Sequence, residues 1–273
     1  LLFTLSAPLA SAAITPPAEE HTGAPKVAIA PHRAIYTMTL ASVKNGSNIA
    51  GVSGRMMFKW SDACDGWTVE QHMKLHFNYA EGDESDVTSA DVSWESKDGK
   101  RYNFNVLHQT DGKETERYKG RATLDGGKGG SVVYEFPKGK TVDLPVGTLF
   151  PTAHTVLIIQ KALAGEKLFS RNVFDGSDED GLDDVSVFLH AQQAHVEEAG
   201  LSPDLKKNPL IAQPIWPVRL AFFKTSTETG MPDYEMDMDL LANGVVRKMT
   251  IDYGDFTVTG TLSEIEALPS SGC

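Results

Sequence analysis

Cys64 and Cys273 are the only thiols of this sequence, and their spacing decides what they can do. They lie too far apart for a redox Cys-x-x-Cys pair, and two cysteines alone make no zinc site. Two states remain: free thiols, or one disulfide tying the C-terminus to the first quarter of the chain, which an oxidising compartment favours. Histidines are the next candidates. His72 and His76 would suit a metal on a helix, but Trp67 to Tyr79 alternates as a strand. Four strand residues span about 13 Å, too far for two imidazoles to share one zinc. The pair reads as a solvated polar face beside Glu70 and Lys74. His108, His154, His190 and His195 have no spaced partner and read as structural.

Nucleophilic and phosphate chemistry find little support. Gly51-Val52-Ser53-Gly54-Arg55 fails the Gly-x-Ser-x-Gly elbow at its last position. No phosphate-cradling loop opens a helix, and Gly126-Gly127-Lys128-Gly129-Gly130 reads as a hairpin loop between two short strands. The acidic run from Asp175 to Asp184 is the most tempting metal site. Setting Gly181 at the sixth position of a calcium loop puts Gly176 at the first and Val187 at the twelfth, where carboxylates are required. A solvated acidic hairpin is the expectation, with weak calcium binding as the alternative. No catalytic residue, cofactor or metal is expected.

Charge and hydropathy narrow the class further. With 25 basic against 37 acidic residues the net charge is -12, unsuited to nucleic-acid phosphates or an anionic membrane surface. No apolar run reaches the roughly 18 residues of a membrane span, so no transmembrane segment is expected. The start is apolar (Leu1, Leu2, Phe3, Leu5) and then small, with Ala10-Ser11-Ala12 fitting the A-x-A cleavage rule. Residues 1–12 therefore read as the remnant of a secretory signal, 13–26 as a disordered tail, and 27–273 as a single β domain in an exported protein.

Period-two alternation must position everything else. Along Trp67–Tyr79 the residues Trp67, Val69, Met73, Leu75, Phe77 and Tyr79 share one face, interrupted only by Gln71. Weaker alternation covers Ala34–Val43, Val52–Trp60, Val87–Glu95, Tyr102–Gln109, Arg117–Leu124 and Ser131–Phe136. It continues through Leu168–Asp175, Val185–Ala194, Val218–Thr225, Tyr234–Leu241, Val245–Tyr253 and Phe256–Leu262. Turns such as Lys44-Asn45-Gly46-Ser47, Asp111-Gly112-Lys113 and Ala242-Asn243-Gly244 carry hairpin chemistry. The pattern predicts a mainly β, antiparallel meander closing into a spiral or partly open barrel. Residues 151–165 open with Pro, close with Gly and are apolar on most sides, predicting one buried helix that plugs or caps the sheet. Glu198–Pro214, with three prolines, is the expected long loop.

Several stretches together carry a family resemblance: Cys64-Asp65-Gly66-Trp67, Trp94-Glu95-Ser96-Lys97-Asp98-Gly99, Phe150-Pro151-Thr152-Ala153-His154-Thr155, Val173-Phe174-Asp175-Gly176, Trp216-Pro217-Val218-Arg219 and the terminal cysteine. The chain resembles the EipB family of periplasmic cell-envelope-integrity proteins of alphaproteobacteria, long catalogued as a domain of unknown function. The resemblance implies a spiralling β-sheet around a helix, a disulfide at Cys64 and Cys273, and a part in maintaining the envelope under stress. It also implies a periplasmic tetratricopeptide-repeat partner, and likeness in outline to lipoprotein carriers. The leading expectation is a non-enzymatic factor that binds a protein partner or an acyl-bearing envelope component, such as a lipid or lipoprotein. The alternatives are a scaffold docking the repeat protein without ligand, and an unrecognised envelope hydrolase.

Overall fold

The structure is a computed structural model describing residues 26–179, 181–193, 201–225 and 230–273. The signal remnant, nearly all of the 13–26 tail, and His195 lie outside the described residues. A first meander runs β1 (His32–Val43), β2 (Ile49–Asp62), β3 (Gly66–Tyr79), β4 (Glu84–Ser96), β5 (Arg101–Thr110), β6 (Lys113–Leu124), β7 (Gly130–Phe136) and β8 (Thr141–Leu144). Helix α1 (Pro151–Leu163) follows. A second meander comprises β9 (Leu168–Phe174), β10 (Leu182–Leu189), β11 (Ile215–Lys224), β12 (Tyr234–Leu241), β13 (Val246–Asp252) and β14 (Phe256–Ala267), with a short helix α2 (Pro203–Lys206) before β11.

The described strands form one antiparallel sheet in which each strand neighbours its sequence neighbour, except where β1 meets β14. That junction joins the two meanders, leaving β8 and β9 as the edges. They nearly meet. Leu149 bridges β9 in parallel, its N–H donating to Asn172 O at 2.9 Å and its carbonyl accepting from Phe174 N at 3.0 Å. The meander thus curls into a nearly closed barrel, which hides its unpaired edges.

Local chemistry explains the turns. Asp111 and Gly112 are the whole loop between β5 and β6, with φ of 52° and 74°, the two positive values a tight hairpin needs. Three apolar clusters line the interior. One is aromatic, with Tyr102 stacked on Phe150 at 5.0 Å and Phe104 edge-on to Phe174 at 5.5 Å. A second packs α1, through Ile158, Ile159 and Ala162, against β9 to β11. The third joins β1 to β3 with β13 and β14, and α2 closes it through Leu205.

Several expectations need correcting. The helix at 151–165 ends at Leu163, which is exposed, and it buries Thr152, His154, Ile158, Ile159 and Ala162. Thr141–Leu144 is a strand that alternation over so few residues did not reveal. The proline-rich stretch after residue 200 is not plain loop, because Ser202 caps α2 and Leu201, Leu205 and Ile211 are core residues. The strand expected over Val185–Ala194 runs from Leu182 to Leu189, and its predicted end at Ala194 lies outside the described residues.

One interior bond ties the two meanders together. Tyr36 on β1 donates its hydroxyl to the Val246 carbonyl at 2.7 Å, in a fully buried position. Tyr36→Phe removes the donor without changing shape, so we expect a loss of about 1 kcal/mol in denaturant unfolding. An unchanged midpoint would show that this bond adds nothing to the junction.

Candidate functional site

Behind Tyr36 the interior is not filled. A cavity of about 360 Å³ lies between β1 to β3, α1 and β11 to β13. That volume falls within the roughly 300–1,000 Å³ of small-molecule sites. Its wall includes Met56, Met73, Met236, Met238 and Met249, unbranched side chains that adapt to an irregular occupant. Among the described residues, none that lines it is Asp, Glu, Lys or Arg. Alternation puts these side chains inward, and Gln71, the one polar residue on the inner face of β3 in the sequence reading, lines the cavity too.

Beside Gln71, three further nitrogen-bearing side chains interrupt the apolar wall: His32, Trp60 and His154. His32 Nε2, Trp60 Nε1 and His154 Nε2 are buried with no hydrogen-bond partner among the described residues. Burial lowers the pKa of both imidazoles, that of His154 to about 4, so both are neutral near pH 7. The sequence reading treated His154 as structural and did not single out His32 or Trp60. His32 and Trp60 fall in no motif, and the stretch that holds His154 assigns it no chemistry, because only the barrel brings β1, β2 and α1 to one space.

The helix that forms one wall is held by a residue from β4. Phe150 at the helix start offers no capping side chain. Glu95, 3% exposed, supplies the cap, accepting from Thr152 N at 2.7 Å and Ala153 N at 2.9 Å. Burial pushes its carboxyl up to about 7, against the pull of the two amides.

β4 carries further polar groups inward. Antiparallel partners share a face, so Gln71 opposite Asp91 and Trp67 opposite Glu95 place Ser89, Asp91, Ser93 and Glu95 inside. His108 on β5 stands directly opposite Ser89. Its Nδ1 lies 3.0 Å from Glu116 Oε2 and its Nε2 3.7 Å from Asp91 Oδ1. Both nitrogens face carboxylates.

The structure redistributes the other sequence candidates. His76 contacts Asp86 at 2.9 Å, whereas His72 and His190 are exposed. The acidic run is not a solvated hairpin. Asp183 is 3% exposed, and Lys224 pairs with both Asp178 and Asp183. The two carboxylates raise the Lys224 pKa, while burial pushes Asp183 up to about 6. Asp178 and Asp175 also accept from backbone N–H groups of Gly181 and Ser177. No group of three metal-ligating side chains assembles among the described residues. Cys64, in the turn between β2 and β3, is joined to Cys273 by a disulfide with Cα atoms 5.7 Å apart, within the usual range for such a bridge.

Known proteins of this architecture can now be set beside it. The EipB-like family model matches residues 23–269. The cell envelope integrity protein EipB of Brucella abortus is 33% identical over 249 residues, spanning 90% of this chain and 86% of that protein. A crystal structure of a β-barrel-like protein of a domain of unknown function, also from Brucella abortus, superposes with a TM-score of 0.82 at 32% identity. It covers 89% of this chain and 100% of the other. With nearly its whole length matched in sequence and in fold, this chain belongs to the EipB-like family.

Proposed function

We propose that this protein is a periplasmic, non-enzymatic factor that maintains the cell envelope by holding the acyl chain of an envelope component inside its barrel. The observation that carries the reading is the uncharged, methionine-rich cavity of about 360 Å³. Apolar burial contributes about 0.8 kcal/mol per methylene, so a chain of ordinary lipid length has ample driving force. An envelope role accords with the name of the Brucella abortus relative, and export followed by signal cleavage accords with the apolar, small-residue start of the sequence.

The test is saturable uptake of 11-(dansylamino)undecanoic acid with a blue-shifted emission, competed by dodecanol. Met236→Trp, which fills the wall, should abolish uptake while leaving the melting curve cooperative. Absence of saturable uptake, or unimpaired uptake by Met236→Trp, would overturn the reading.

Docking of a protein partner, such as the tetratricopeptide-repeat protein of the family expectation, is the second reading. It is favoured by Leu168 and Phe188, paired across β9 and β10 and 60% and 42% exposed. Chemical crosslinking in periplasm followed by co-purification, with a Leu168→Asp/Phe188→Asp control, separates the two readings.

A further inference from the structure

Strand β4 turns its polar residues to the interior, so Thr88, Ala90, Val92 and Trp94 stand on the outer face of the barrel. Their partners share that face: His72 and Lys74 on β3, and Asn103, Asn105, Leu107 and Gln109 on β5. Two depressions follow each other along β4 and β5. One, of about 430 Å³, is lined by Thr88, Ala90 and Leu107 together with Arg33, Arg55 and Lys74. The other, of about 380 Å³, is lined by Val92, Trp94 and Asn105 together with Lys119 and Arg121 of β6.

Exposed apolar and basic groups coincide on this face. Val92 is 38% exposed, and Val133 and Phe136 on β7 are 49% and 47% exposed, opposite Arg121 and Lys119. The linings hold five cations, Arg33, Arg55, Lys74, Lys119 and Arg121, against two carboxylates, Glu135 and Glu264, in a chain of net charge -12. Glu135 is shared by Lys119 at 2.8 Å and Arg121 at 3.6 Å. Arg55 pairs with Glu264 at 2.9 Å, and Lys74 with Asp86 beside the depression at 2.8 Å. Glu70, next to Val92 on the same face, is held by Lys59 at 2.8 Å. Exposed pairs of this kind contribute little to stability, so the surplus cations are available to an incoming carboxylate.

We propose that this face docks an acidic amphipathic helix of a partner protein, its apolar ridge on Val92 and Trp94 and its flanking carboxylates on the cations of β2, β3 and β6. The dimensions suit a rod. β3 and β6 are three strand spacings apart, roughly 14 Å, against about 10–12 Å for a helix with its side chains. Thr88 to Trp94 covers about 20 Å, the length of about 13 helical residues. A flat bilayer does not reach into a recess between long side chains. Trp94 is a fixed anchor, its ring laid so closely against Gly66 that an added Cβ there would come within 2.3 Å of it. This docking is independent of the acyl reading and uses a different face from Leu168 and Phe188.

The probe is a fluorescein-labelled helical peptide of about 18 residues, with leucine along one face and glutamate on both flanks, read by anisotropy on the intact protein. The expected result is saturable micromolar binding that weakens with added salt, and no binding of the same helix carrying lysine for glutamate. Val92→Asp, and separately Arg55→Gln/Arg121→Gln, should each weaken binding about tenfold while the melting curve stays cooperative. Leu168→Asp/Phe188→Asp should leave it unchanged, as should Met236→Trp, which separates this docking from acyl uptake. Equal binding of the acidic and basic helices, or affinity that survives both sets of groove variants, overturns the assignment. Binding of phosphatidylglycerol vesicles that is lost in Val92→Asp, without peptide binding, gives the face to a membrane and overturns the helix. Binding of neither probe overturns the docking surface altogether.

Discussion

Cys273→Ser is expected to lower the melting temperature by roughly 10–20 °C while leaving a cooperative transition and the β-sheet circular dichroism unchanged. The bridge spans a sequence separation of 209 residues, almost the whole barrel. The chain-entropy estimate for a loop of that size is about 5 kcal/mol, and domains of this length shift by roughly 2–4 °C per kcal/mol. That is an upper figure, because residual structure in the unfolded chain reduces it. Cys64 and Cys273 are both exposed, so their substitution removes little buried surface, and the constraint on the unfolded chain dominates the effect. Cys273 is the better position to change, since Cys64 sits at a φ of 62° that a replacement must also adopt. The fold should persist because β14 is held without the bridge, by a ladder to β1 along its length and a second to β13 over Thr257–Thr261. Equal melting of wild-type protein with and without reductant would show that the bridge constrains nothing.

Raising the pH should destabilise the helix wall through Glu95. Its carboxyl has an ordinary value of 4.5 and a folded value of about 7, raised by burial. A group whose folded pKa is raised contributes stability that is fully present below about 4.5 and is lost as pH climbs through about 7. The shift corresponds to about 3 kcal/mol. Asp183 and Asp175 are also pushed up by burial and act in the same direction, so the wild-type curve alone does not isolate Glu95. The difference between wild type and Glu95→Gln does, because glutamine does not titrate. That difference should fall by about 3 kcal/mol between pH 4.5 and 8 in urea unfolding. A constant difference would mean that the two helix amides offset the burial of the charge. Any acyl ligand should weaken over the same window, since α1 forms one side of the cavity.

Much of this architecture was legible in the residues. Trp67–Tyr79 announced β3 along almost its full length, and Asp111-Gly112 announced the hairpin after β5. The flanking Pro151 and Gly165 framed α1 to within two residues of its end. What escaped was short or non-local. β8 has four residues, too few for a period to register, and α2 is a single turn whose capping serine hid among prolines. The acidic run was read as solvated because its counter-charge, Lys224, lies on a different strand.

The site itself was less legible, for a physical reason. Alternation assigns residues to two faces but does not say which face turns inward. β4 is the clear case. Its apolar set, Ala90, Val92 and Trp94, faces outward, and its polar set faces the interior, because its register with β3 pairs Asp91 with Gln71 and Glu95 with Trp67. From that registration come the Glu95 cap on α1 and the placement of Asp91 against His108. The opposition of His32 and Trp60 depends likewise on how β1 meets β2. By itself the sequence determined the strands, the turns, the helix and the capacity of its two cysteines to bridge, since each follows from local stereochemistry or residue type. Only the tertiary structure decided which side chains line the cavity, because register is set by the summed pairing of whole ladders rather than by any one segment.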